Sequence, residues 1–284
     1  MSYLKALQYS ASALKLVSLP HQPLFYQPIR LFRKPSPCDV CLPHPEARPC
    51  FDIRKLMIER GNQCHAKLIR SFLYTHYWPR EPSIVGLWMA LDCPYLEVLT
   101  DKFAHSGDRF LAFERMERTN ERKLIGVLVA NQVWPWHIDE LEEWAHYTYS
   151  HPERNHMYFT AHMYKSPDLF NKYHVPYIYD VEVLGTAAEA TGQGVATALL
   201  KALLDHSYEV RHPLVQVTSV SKYTSKICER VGMKCEWQMD YTDFIDDKGQ
   251  KVFFPRRPHH TVAVYTRHND PKKPGEMPCE PSFL

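Results

Sequence analysis

Apolar positions along the chain switch between two periods, and the switches place its elements. Residues 177–184 form an extended apolar run with Asp180 and Glu182 interleaved, the pattern of a strand. Residues 195–206 (VATALLKALLDH) stack Val195, Leu199 and Leu203 at steps of four, the pattern of a helix. Residues 214–219 are a second buried strand, and a helix between two strands of one sheet requires them to run parallel. Upstream, residues 51–56 read as a short strand. Residues 62–76 read as a helix, with Ala66, Ile69, Leu73 and Tyr77 at helical steps and Asn62 as its cap. Pro79 and Pro82 end that helix. Residues 94–105 predict a further helix, 109–113 and 123–134 a hairpin across a polar loop, and 138–149 and 152–164 two helices rich in aromatics. Downstream, 224–231 predicts a helix stopped by Gly232. Strands are predicted at 234–244, 251–254 and 261–267, the first two joined by a turn at Asp247, Lys248 and Gly249.

This order predicts an α/β (α+β) fold: a mixed central sheet flanked by helices on both faces. No internal repeat is visible.

The turn Thr191-Gly192-Gln193-Gly194-Val195-Ala196 lies between the first of the parallel strands and its helix. Two glycines let backbone approach a ligand, and the helix start offers unpaired N–H groups and a partial positive charge to a phosphate. A P-loop is excluded, because no Gly-x-x-x-x-Gly-Lys run exists. A dinucleotide fingerprint requires an acid near the end of the following strand, and 214–219 carries none. The third reading is the pyrophosphate loop of an acetyl-CoA-dependent N-acetyltransferase, Arg/Gln-x-x-Gly-x-Gly/Ala. Gly194 and Ala196 fit it, and Thr191 stands in the first position. A tight turn without a ligand is the plain alternative.

Composition narrows the classes. The chain has 284 residues, 45% of them hydrophobic, and a formal net charge of +2, which suits one globular domain with a sizeable core. That balance gives no support to a nucleic-acid binder, and no run is long and apolar enough to span a bilayer. Eight cysteines in a chain of this length read as reduced intracellular thiols. The expected location is cytoplasmic. A mitochondrial address is the alternative, since residues 1–38 carry Lys5, Lys15, Arg30, Arg33 and Lys34 and no acid. Residues 1–50 are read as an extension with a Pro-rich linker, 51–267 as the folded domain and 268–284 as a disordered tail. Cys38, Cys41, His44 and Cys50 have only a faint zinc-like spacing, so no metal is expected.

Three spaced elements make the chain resemble the GNAT superfamily of N-acetyltransferases, and within it the arylalkylamine (dopamine-type) N-acetyltransferases of insects and nematodes. The run YTSKICERVGM (223–233) is similar to the family's Tyr-Ser-x6-Leu-Gly-Phe helix. Tyr241 to Phe244, Gly249, Val252-Phe253 and Pro258-His259 follow the family's order and spacing. Arg80-Glu81-Pro82 is similar to its Asp-Glu-Pro element. The resemblance covers roughly 51–267.

The resemblance implies a parallel strand pair splayed to hold acetyl-CoA. Backbone at Val183, Leu184 and Thr186 would bond the pantetheine arm, and N–H groups of Thr191, Gly192, Gln193, Gly194, Val195 and Ala196 the pyrophosphate. It implies direct acetyl transfer to a small amine of the dopamine, tryptamine and octopamine class. Polyamines, protein amino groups or a weakly catalytic acyl-CoA binder are the alternatives, and a monomer is expected. The family's base falls on Glu81, whose plain reading is a solvated loop carboxylate; Asp180 and Glu182, on one strand face, are rivals. The hydroxyl that protonates the leaving thiolate falls on Thr224, otherwise a helix cap, with Tyr223 as the nearby phenol. A second family serine falls on Val220, which Ser219 or Ser221 would have to replace, and the tyrosine of other GNAT enzymes falls on Cys228. Trp134, Trp136, Trp144, Tyr147, Tyr158, Phe159 and Tyr164 are candidates to stack on an aromatic amine, and His137, His162 and His174 to ferry protons, against the plainer reading of core and surface residues.

Overall fold

The computed structural model describes residues 56–115, 122–246 and 248–269. Strand β1 (Leu56–Arg60) leads to Asn62, whose side chain accepts from the Cys64 N–H and starts a tight turn. Helix α1 (Ala66–Phe72) follows and widens into a π turn over Leu73–Tyr77, then tightens over Trp78–Arg80. Helices α2 (Pro82–Gly86) and α3 (Pro94–His105) each begin with proline, where no N–H is needed. Next come β2 (Asp108–Arg115), β3 (Arg122–Val133), α4 (His137–Tyr147), α5 (His151–Lys165), α6 (Leu169–Tyr173) and β4 (Ile178–Thr186). The chain closes with α7 (Val195–Val210), β5 (Leu214–Ser219), α8 (Lys222–Arg230), β6 (Lys234–Asp240) and β7 (Thr261–His268).

The strands form a seven-stranded sheet in the order β1-β2-β3-β4-β5-β7-β6, antiparallel except for β4 and β5. Gly126 and Gly185 show that helices cover both faces. A Cβ on Gly126 would meet Leu199 and Val195 of α7 at 2.9 Å, whereas one on Gly185 would meet Tyr77 at 3.0 Å and Phe72 at 3.5 Å. Gly126 lies opposite Thr186 and Val127 opposite Gly185, so those contacts fall on opposite faces. Helix α7 buries Val195, Leu199, Leu200, Leu203 and Leu204, each worth about 1.5–3 kcal/mol. Its start is therefore fixed against the sheet.

Several expectations need correction. Residues 251–254 form no strand; a single bridge joins Ile245 to Lys251, and Phe253 is buried against Phe159 and Tyr241. The strand expected at 234–244 ends at Asp240, and Tyr241–Asp243 turn. The turn after it is organised by Asp246, whose side chain accepts from the Lys248 and Gln250 N–H groups. Pro82 begins a helix rather than only ending one. Residues 1–55, with the Cys38, Cys41, His44 and Cys50 spacing, Asp247, and the tail beyond Asn269 lie outside the described residues.

Candidate active site

The parallel pair comes apart. Pairing of β4 with β5 stops at Val181 and Val217, although β4 runs on to Thr186 and β5 to Ser219. On its other edge β4 stays paired with β3, but Val129 faces Val183 and Ala130 faces Val181, which makes Glu182 the extra residue of a bulge. A bulge bends and twists its strand. The widening gap is a cleft of about 650 Å³, bounded by the end of β4, the glycine turn, the start of α8 and the loop before α2.

At the glycine turn Gly192 has φ +81° and Gly194 φ +86°, left-handed values that glycine adopts without a Cβ penalty. Gly194 is the N-cap of α7, whose first-turn N–H groups have no preceding turn to bond. Leu184, Thr186, Thr191, Gly192, Gly194, Val195 and Ala196 line the cleft. Two predicted cofactor residues do not. Val183 is wholly buried in the core, and Gln193 commits its backbone N–H to Ala190 and its side chain to the Glu189 carbonyl.

The three candidate bases stand in different environments. Glu81 is no solvated loop carboxylate: it is 7% exposed and caps α2, its Oε2 accepting from the Ile84 N–H (2.6 Å) and the Ser83 hydroxyl (2.7 Å). Burial raises its pKa above the usual carboxylate value, and these bonds oppose the rise. The bonds from the Ile84 N–H and the Ser83 side chain both fall on Oε2. Behind Ser83 a half-buried chain of hydrogen bonds continues. His156 Nε2 lies 3.0 Å from Ser83 Oγ, and Tyr95 Oη lies 2.9 Å from His156 Nδ1. Ser83 spends its single proton on Glu81, so it accepts from Nε2–H, and Nδ1 accepts from Tyr95. Burial lowers the His156 pKa to about 4, so the ring is neutral.

Glu182 also lines the cleft, but Lys102 and Asn131 both bond its carboxylate. Asp180 is not among the residues lining the cleft. It is buried and accepts from the Tyr164 hydroxyl at 2.8 Å; burial first, and the Glu182 charge second, push its pKa up to about 7.

Thr224 and Tyr223 line the opposite wall. Thr224 is not the cap of α8: Ser221 takes that role, accepting from the Tyr223 N–H. Tyr223 is 57% exposed and packs edge-on against His259. Of the two serines beside Val220, Ser221 lines the cleft and Ser219 does not. Ser219 bonds Ser225 and the Ser221 carbonyl, and Ser221 is the cap. Cys228 is fully buried, with its thiol pKa pushed up to about 12 by burial.

None of Trp134, Trp136, Trp144, Tyr147, Tyr158, Phe159 and Tyr164 lines the cleft. Phe159 belongs to the core, Trp134 and Trp136 stack on each other, and Tyr147 is 73% exposed. His137, His162 and His174 are also elsewhere; His76, Tyr77, Tyr223 and His259 are the aromatic rings present. Lys226, Arg230, Arg256, Arg257 and Arg80 line the cleft too, cations that sequence spacing gave no reason to gather. Arg80 had one signal: it breaks the Asp of the Asp-Glu-Pro pattern. Among the described residues no His, Cys, Asp and Glu cluster fits a metal, and no helix is long and apolar enough to cross a membrane.

No protein-family model matches the chain, and no curated protein matches it. Solved structures do. Mosquito arylalkylamine N-acetyltransferase like 5b is 21% identical, with 75% of this chain and 99% of that one covered at a TM-score of 0.68. The Drosophila melanogaster polyamine N-acetyltransferase that forms N-acetylagmatine is 20% identical, with 75% and 99% covered, at 0.65. Arylalkylamine N-acetyltransferase 2 from Aedes aegypti is 15% identical, with 76% and 99% covered, at 0.64.

Proposed function

On the GNAT N-acetyltransferase fold that this chain has, we propose an acetyl-CoA-dependent N-acetyltransferase that moves the acetyl group directly to a small amine. One observation carries this reading. The strand pair splays at Val181 and Val217, and Glu81, Thr224 and the glycine turn all line the resulting cleft. The unpaired edge of β4 beyond Val181 supplies backbone groups for an extended amide arm, and the α7 start supplies N–H groups for a pyrophosphate.

The residues then divide the chemistry. The Glu81 carboxylate takes a proton from the ammonium form of the amine, directly or through a water, while Oε2 stays held by Ile84 and Ser83. The neutral nitrogen forms the new C–N bond and the thioester C–S bond breaks. As it does so, the surplus proton on the acylated nitrogen passes through the Thr224 hydroxyl, which gives its own proton to the departing sulfur and regains one from the nitrogen, so that CoA leaves as the free thiol and the amide is neutral. The Glu182 carboxylate is already bonded by Lys102 and Asn131, and Asp180 has no place in the cleft lining.

Arylalkylamines are the acceptor class we favour, with Tyr77 and Tyr223 as the aromatic faces available. An aliphatic amine such as a polyamine is the second reading, favoured by the absence of the seven predicted aromatics from the cleft lining. Release of free thiol from acetyl-CoA across dopamine, tryptamine, octopamine, agmatine and spermidine tests the function. Acetyl-CoA binding with no turnover on any amine would leave an acyl-CoA-binding protein instead.

A further inference from the structure

We propose that Arg80, from the loop before α2, is the cation of the pyrophosphate seat, in place of the Arg or Gln that Thr191 displaces at the head of the glycine turn. The inference rests on the acetyl-CoA reading of the cleft.

The segment 187–198 contains no Arg or Lys, and its one acid, Glu189, is paired with Lys123 at 2.7 Å. The turn thus brings backbone N–H groups but no cation of its own. Arg80 arrives from 111 residues away: Nη2 donates to Thr191 Oγ1 at 3.1 Å, and Nη1 donates to the Thr186 carbonyl at 3.0 Å. The guanidinium therefore bridges the end of β4 and the glycine turn. Both acceptors are neutral, so the charge is uncompensated by them. Two of its five N–H donors are used, and the remaining three are free for phosphate oxygens, which a planar guanidinium binds in pairs.

Thr191 suits this arrangement. Its hydroxyl accepts from Arg80 and donates to the Ala187 carbonyl at 3.3 Å, so it holds the incoming arginine at the turn. An arginine at 191 would bring a second guanidinium to the turn that Arg80 already serves. The Thr at 191 and the Arg at 80 are then one exchange, a cation moved from the turn to the facing loop.

Binding of CoA and of dephospho-CoA, which keeps the pyrophosphate and lacks the 3′-phosphate, to the full chain by titration calorimetry is the test. Arg80→Ala is expected to weaken both ligands by tenfold or more, and by the same factor. Arg80→Lys, which keeps the charge without the fork, should fall between. Thr191→Arg should restore most of the affinity in the Arg80→Ala background and add little in the wild type. Melting temperatures close to wild type are expected, since Arg80 is exposed. An Arg80→Ala affinity within twofold of wild type overturns the proposal, as does a loss confined to CoA, which would put Arg80 on the 3′-phosphate. Wild-type chain that binds neither ligand overturns the acetyl-CoA reading and the proposal together. The expected binding pattern without turnover of any amine leaves the proposal standing and removes acetyl transfer.

Discussion

His156 Nε2 lies 3.0 Å from Ser83 Oγ, and Ser83 donates over 2.7 Å to the Glu81 oxygen that also caps α2. With Tyr95 donating to the other ring nitrogen, every proton in the chain points toward the carboxylate. The chain therefore favours the ionised form of Glu81 and holds its Oε2 in place. His156→Phe removes the donor to Ser83 and lets that hydroxyl turn away. We expect kcat to fall about fivefold, the effect of one hydrogen bond of roughly 1 kcal/mol, and the acidic limb of the pH profile to move upward. The KM for acetyl-CoA should not change. Tyr95→Phe should give a smaller shift in the same direction.

Glu81→Gln keeps an acceptor for the Ile84 N–H and removes the base. Turnover should drop by roughly 10²–10⁴-fold across the pH range. In the wild type, kcat/KM should fall as pH drops through the raised pKa of Glu81, because only the carboxylate accepts the proton. A Glu182→Gln variant with the greater loss would move the base to the bulge of β4.

Thr224→Val removes one oxygen and keeps the shape. If its hydroxyl protonates the leaving sulfur, kcat falls about tenfold and acetyl-CoA affinity stays level, while Thr224→Ser retains activity. Cys228→Ala should leave turnover untouched, because that thiol is buried and neutral.

Asp180 makes a stability prediction with a definite sign. Its folded pKa, about 7, exceeds the unfolded value of about 3.9, so the folded state holds an extra proton between those limits. Its contribution to stability therefore falls as pH rises from about 4 to 7 and is flat above. Asp180→Asn, which can still accept from Tyr164, should raise the melting temperature most above pH 7. The gain corresponds to on the order of 2–4 kcal/mol and should shrink toward pH 4. Melting curves at pH 5 and pH 8 check this.

Sequence and structure agree where the information is local. Period and turn chemistry located the glycine turn, α7, both parallel strands and the Gly232 stop. The cleft itself needed longer reach. Glu81 reads as a loop acid beside prolines, and only the fold shows that Pro82 opens a helix with Glu81 as its buried cap. The chain to His156 spans 73 residues and the Arg80 bridge 111, separations that carry no periodic signal in one sequence. The aromatics of α4 and α5 lie outside the cleft lining; helical spacing marks a buried stripe equally well, and Phe159 packs on Tyr241 and Phe253 in the core. The strand expected at 251–254 failed similarly, since Phe253 is buried by core packing without a strand partner.

The most direct measurement is thiol release from acetyl-CoA by the purified chain, with and without each amine of the panel, beside Glu81→Gln. Amine-dependent release of CoA is expected, stoichiometric with the N-acetylated amine and nearly lost in Glu81→Gln. Tight acetyl-CoA binding with no amine-dependent release, or release equal in Glu81→Gln and wild type, would contradict it.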